Sequence, residues 1–231
     1  MEVKLRSILR TTHWSLLLKA VVTGGLWLAT GSGLPGWVFI LVALYCYLVP
    51  FFRVSSMLFP WTVLMVLSLM QPPTLFATLV FIVLFYCIVG IKELSLIRRF
   101  AIHRVVTLAL LLVIFLHFFM LFPSWEGSLA FFGSCCIGII VFIFLQQLSR
   151  YHNKEIIQAA VGGLIVWQMT IAMLIVPFSF LYQAAFLFLV ATVLFEFLPE
   201  GKTPERPHLV AGALVFLALS LAIFGSAQWG I

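Results

Sequence analysis

Few side chains in this sequence are equipped for chemistry, and those that are stand inside or beside long apolar runs. Glu196 falls near the end of the run Phe180–Leu198, three residues before Pro199. A carboxylate at that depth in hydrocarbon is costly, so it points to function or to a partner of opposite charge. Lys19, inside the run Trp14–Thr30, and the arginines of the charged connections are the expected partners. Gln146, Gln147 and Gln158 fall at a similar depth, which would make a polar inner vestibule around Glu196. A glutamate that simply reaches the headgroups accounts for the same residues. Gln168 and Gln183 lie in the middle and outer parts of two apolar runs. Amides so placed are expected to hydrogen-bond between helices, contributing about 0.6–2 kcal/mol each.

A second set of candidates is cationic. The connection from Lys92 to Arg104 carries Lys92, Arg98, Arg99 and Arg104, with Leu94, Ile97 and Ala101 at helical spacing. Such a segment rides the membrane surface with its cations toward phosphate. It reads either as an anchor for the cytoplasmic face or as a site for an anionic headgroup or a phosphorylated lipid.

Other chemistries are poorly supported. His103 and His117 are spaced along one run in the manner of helices that hold two haems, but the outer one finds no axial mate in the sequence. Cys46, Cys87, Cys135 and Cys136 lie within apolar runs and form no C-x-x-C pair, which suits small buried thiols rather than a redox motif. The chain has no Asp at all, and therefore no aspartyl dyad or Asp-based lipid transferase motif. It also lacks H-E-x-x-H, G-x-S-x-G and the phosphate-loop pattern. No cofactor or metal is expected.

These residues are held by apolar elements. Of the 231 residues, 64% are hydrophobic and 9% charged, against about 25% charged in a soluble domain. Runs of the ~17–25 residues needed to cross a bilayer recur along the chain. They lack the alternation of barrel strands, so the expected fold class is all-α, a polytopic transmembrane helical bundle. The spans are predicted at Trp14–Thr30, Trp37–Phe52, Met57–Met70, Thr74–Ile91, Val105–Phe122, Leu129–Leu148, Ile156–Val176, Phe180–Leu198 and Leu209–Ala227. Pro60 marks the third as a candidate for tilt, kink or re-entry. Residues 1–13 are expected to form a retained amphipathic segment on the cytoplasmic surface, ahead of a single bundle domain over 14–227. A cleaved signal peptide is disfavoured because Lys19 interrupts the first run.

Charge tests the count. With nine spans and the amino terminus inside, twelve of the 13 Lys and Arg fall in inner segments. Lys19 is close enough to snorkel to that side. The outer turns, each holding proline (Pro35, Pro72 with Pro73, Pro123, Pro177), carry no Lys or Arg. This segregation favours the orientation, which leaves the carboxyl terminus outside. The formal charge of +6 therefore speaks for anionic phospholipid at the cytoplasmic face, not for nucleic acid.

The sequence thus points to a non-enzymatic integral membrane protein of a prokaryotic cytoplasmic membrane, serving as a subunit or scaffold alongside other membrane proteins. The alternatives are a small transporter or channel built on the vestibule around Glu196, and a lipid-phosphate enzyme built on the basic connection.

Overall fold

Prolines, glycines and one threonine cap set the helix boundaries. The computed structural model describes residues 2–50, 55, 57–93, 99–124, 127–149, 156–197 and 206–226, and among them it contains nine helices and no strand. The helices are α1 (Glu2–Thr30), α2 (Gly36–Leu48), α3 (Leu58–Met70), α4 (Leu75–Lys92), α5 (Arg99–Leu121), α6 (Gly127–Ser149), α7 (Ile156–Ile175), α8 (Phe180–Phe197) and α9 (Arg206–Ser226).

The amino-terminal segment and the first span form one helix, because α1 runs from Glu2 to Thr30 without a break. Gly33 ends it at φ +105°, a conformation that glycine adopts without penalty. Leu34 N–H then returns to Ala29 O at 3.2 Å, closing the helix in the manner of a glycine C-cap. α2 stops at Leu48, short of the expected Phe52, because Val49 is extended and Pro50 supplies no N–H. Pro60 does not kink α3. It lies in the first turn, where no intrahelical donor is required, and the next residue, Trp61, already reaches Met57 O at 3.1 Å. Thr74 caps α4 by accepting from Ala77 N–H at 3.2 Å.

Among the described residues four helices are long and apolar enough to cross a membrane: Leu75–Lys92, Ala101–Leu121, Gly127–Leu148 and Ile156–Ile175. Shorter apolar helices accompany them, including α2 and α3 with 13 residues each. At 1.5 Å per residue these two reach only about 20 Å, less than a hydrocarbon core of ~30 Å. Large apolar side chains face outward, among them Leu75 and Phe76 at 73% and 79% exposure. Hydrocarbon solvent suits such faces and water does not.

The chain forms two compact units, Met1–Val106 and Thr107–Ile231. In the first, α1 packs on α4 and α2, and α3 packs on α4. Phe81 of α4 is the hub, with Trp27 at 5.2 Å, Phe39 at 5.7 Å and Phe85 at 5.7 Å between ring centroids. Trp27 Nε1–H donates to Ser68 O at 2.9 Å, which ties α1 to α3. In the second unit α6 packs closely on α7, then α7 on α8 and α8 on α9. Small residues permit the first of these approaches: Ser134 accepts from Trp167 Nε1–H at 3.2 Å, and Gly138 lies against Gly163. A Cβ on Gly163 would meet Gly138 O at 2.8 Å and Phe142 Cβ at 2.9 Å.

Gly163→Ala is therefore expected to force α6 and α7 apart, at about 1–3 kcal/mol, and to lower the thermal midpoint in detergent. Gly25→Ala, where a Cβ meets nothing within 4 Å, serves as the silent control.

Candidate functional site

The polar centre of the first unit is built where α2 ends. The last carbonyls of a helix have no intrahelical donor. Buried away from water, an unsatisfied carbonyl costs several kcal/mol, roughly what a lost hydrogen bond costs with nothing to replace it. Here two lysines from other helices supply the donors. Lys92, the last residue of α4, donates from Nζ to Tyr47 O and lies 4.9 Å from the centroid of the Tyr47 ring. Lys19, on α1, donates to Val49 O at 2.8 Å and to Glu93 Oε1 at 2.7 Å. Helices α1, α2 and α4 are thus fastened at one point by residues 30 to 74 positions apart. The negative end of the α2 dipole adds to the attraction for both ammonium groups.

The three charged groups differ in access. Lys92 is fully buried. The side chains of Lys19 and Glu93 are 20% and 9% exposed. The Tyr47 ring is itself buried and stacks on Trp61 at 5.0 Å, so an apolar wall screens Lys92 from solvent. A pair this sheltered keeps more of its attraction than a surface pair, and removal of one member strands the other.

Of the cationic candidates in the 92–104 connection, Lys92 is turned inward onto Tyr47 O. Arg98 lies outside the described residues. Arg99 opens α5, and Arg104 is half-buried on the same helix with contacts of its own. The carboxylate against Lys19 is Glu93, where the sequence had offered Lys19, or an arginine of the charged connections, as a partner for Glu196. Glu93 is the one carboxylate between Glu2 and Glu126, and that isolation was the available signal for it.

In the second unit Gln183 is fully buried, and its amide ties α8 to α7. Nε2 donates to Met173 O at 2.8 Å, with Val176 O at 3.3 Å and Pro123 O at 3.4 Å nearby. It thereby serves carbonyls at the end of α7. Gln168 is exposed on α7 rather than held between helices. Gln146 and Gln147 are half-buried near the end of α6, Gln158 is exposed near the start of α7, and Glu196 is exposed near the end of α8. The contacts Ser134–Trp167 and Gly138–Gly163 run antiparallel, which sets the α6 glutamines level with the start of α7. A cleft of about 380 Å³ lies farther along the same helix pair, against Cys135, Gly138, Phe142, Gly163, Leu164 and Trp167. It is apolar and holds none of the glutamines. Among the described residues no group of three His, Cys, Asp or Glu is placed to hold a metal ion.

Comparison with known protein families, curated proteins and solved structures finds no match for this chain.

Two outcomes follow from the cluster. Lys92→Met keeps the side chain's length but removes the donor to Tyr47 O, at an expected cost of about 1–3 kcal/mol, read as a lower unfolding midpoint in mild detergent. Lys19→Met is expected to destabilise more when Glu93 is retained than when Glu93→Gln accompanies it, with a coupling of about 0.5–3 kcal/mol in a double-mutant cycle.

Proposed function

We propose that this chain is an integral membrane protein of nine spans, with its amino terminus in the cytoplasm and its carboxyl terminus outside, and that it acts as a non-enzymatic subunit or scaffold of a membrane assembly. The segregation of Lys and Arg supports the orientation, and a prokaryotic cytoplasmic membrane is its proposed home. The two short helices α2 and α3 fit a span count of nine through their non-helical flanks and local thinning of the bilayer.

The observation that carries the structural role is the use made of embedded charge. Lys19, Lys92 and Glu93 are engaged with helix-end carbonyls and with each other. They fasten α1, α2 and α4, which is the work of a framework. One arrangement favours a second reading. The placement of Gln146, Gln147, Gln158 and Glu196 toward one end of the α6–α8 unit suits a short transport path, in which Glu196→Gln would abolish flux.

Purification in mild detergent tests the first reading. The expected result is one or more other membrane proteins retained in fixed proportion, with Glu196→Gln leaving the assembly intact; copies of the chain alone would contradict it. Orientation is tested by single cysteines in a variant without the four native ones. Ser32→Cys, in the α1–α2 turn, is expected to react with an impermeant maleimide in intact cells. Arg150→Cys is expected to react only after the membrane is opened.

A further inference from the structure

The net positive charge of this protein resides in its first unit. Residues 1–106 contain nine Lys and Arg against two Glu, a net of +7; residues 107–231 contain four against five, a net of −1, and the two together give the +6 of the whole chain. Within that unit the cluster at the end of α2 is itself unbalanced. Lys92 and Lys19 donate to carbonyls two residues apart at that end, and among the described residues Glu93 is the carboxylate paired there, with Lys19.

We propose that this cluster binds a phosphate anion, in the membrane the phosphodiester of an anionic phospholipid, and that Lys19 Nζ is the group that touches it. Three observations lead there. Lys19 is the most exposed member of the ion pair, while Lys92 is sealed inside. An ammonium has three N–H donors; among the described residues Lys19 uses two, on Val49 O and Glu93 Oε1. Tetrahedral geometry aims the third away from both acceptors. The cluster also stands where the apolar run Leu75–Ile91 gives way to Lys92 and Glu93, the level at which a leaflet's phosphates begin. A positive charge held in a low-dielectric setting without a full counter-charge is costly, and a phosphate oxygen on Lys19 supplies the missing one. Lys92 contributes through its field and Glu93 opposes, so the carboxylate sets the strength of the site. The inference rests on the membrane embedding proposed above and is independent of the scaffold role.

The test uses the full chain in mild detergent and follows its thermal midpoint by tryptophan fluorescence. Phosphatidylglycerol, phosphatidylcholine and inorganic phosphate are added separately in 1 M NaCl, where the Debye length is about 3 Å and exposed arginines are screened. Phosphatidylglycerol is expected to raise the midpoint where phosphatidylcholine does not. Lys19→Gln is expected to weaken that effect about tenfold, the loss of one charge-assisted hydrogen bond. Glu93→Gln still offers Lys19 an acceptor but removes the opposing charge, so it is expected to tighten binding; this gain is readable even where Lys19→Gln folds poorly. Protection by inorganic phosphate alone would keep the anion site and assign it to a soluble ligand. Equal effects of the two lipids without phosphate protection, or weaker binding in Glu93→Gln, would overturn the proposal. An absent lipid preference leaves the co-purification result untouched, and a chain that purifies alone leaves the lipid result untouched.

Discussion

A helix that ends in a protein interior leaves carbonyl groups that water cannot reach, and something in the protein must donate to them. At the end of α2 that requirement falls on two lysines. Lys92 answers Tyr47 O and Lys19 answers Val49 O. The rest of the first unit is arranged around this solution. Glu93 balances Lys19, the Tyr47 ring covers Lys92, and the Phe81 aromatic cluster fills the space between the same helices. Gln183 solves the same problem at the end of α7 with a neutral amide, so the second unit needs no charge for it.

The use of charge rather than an amide at α2 has electrostatic consequences. An amide leaves its surroundings electrically neutral, whereas two lysines and one glutamate leave an excess. That excess is held at a fixed place by a carbonyl framework, at the boundary between apolar helix and basic connection. Helix packing and the local excess of positive charge therefore have a common origin in this unit, and Glu93 belongs to both.

Much of the architecture was legible in the sequence because it depends on local properties. Apolar runs predicted the helices, and prolines and glycines predicted most of the turns. Pro60 was harder to read. A proline disrupts a helix interior but fits its first turn, and a difference of a few residues in the helix start decides which applies. The site was less legible because it depends on which helices become neighbours. Lys19 and Glu93 are 74 residues apart, and nothing in their local sequence shows that α1 lies on α4. The same limit applied to Lys92, whose position in a basic connection suggested a surface cation, and to Gln168, whose position mid-run suggested a buried amide. Rotation of a helix about its axis decides both outcomes, and an apolar solvent leaves little amphipathic signal from which to read it.

The central claim is that lysine ammonium groups satisfy the final carbonyls of α2. Isotope-edited infrared spectroscopy tests it directly, with a ¹³C=¹⁸O label at Tyr47 in the full chain. The account predicts an amide I band at the low frequency of a strongly hydrogen-bonded carbonyl, moving upward in Lys92→Met. A band already at the frequency of a free carbonyl, unchanged by that substitution, would contradict it.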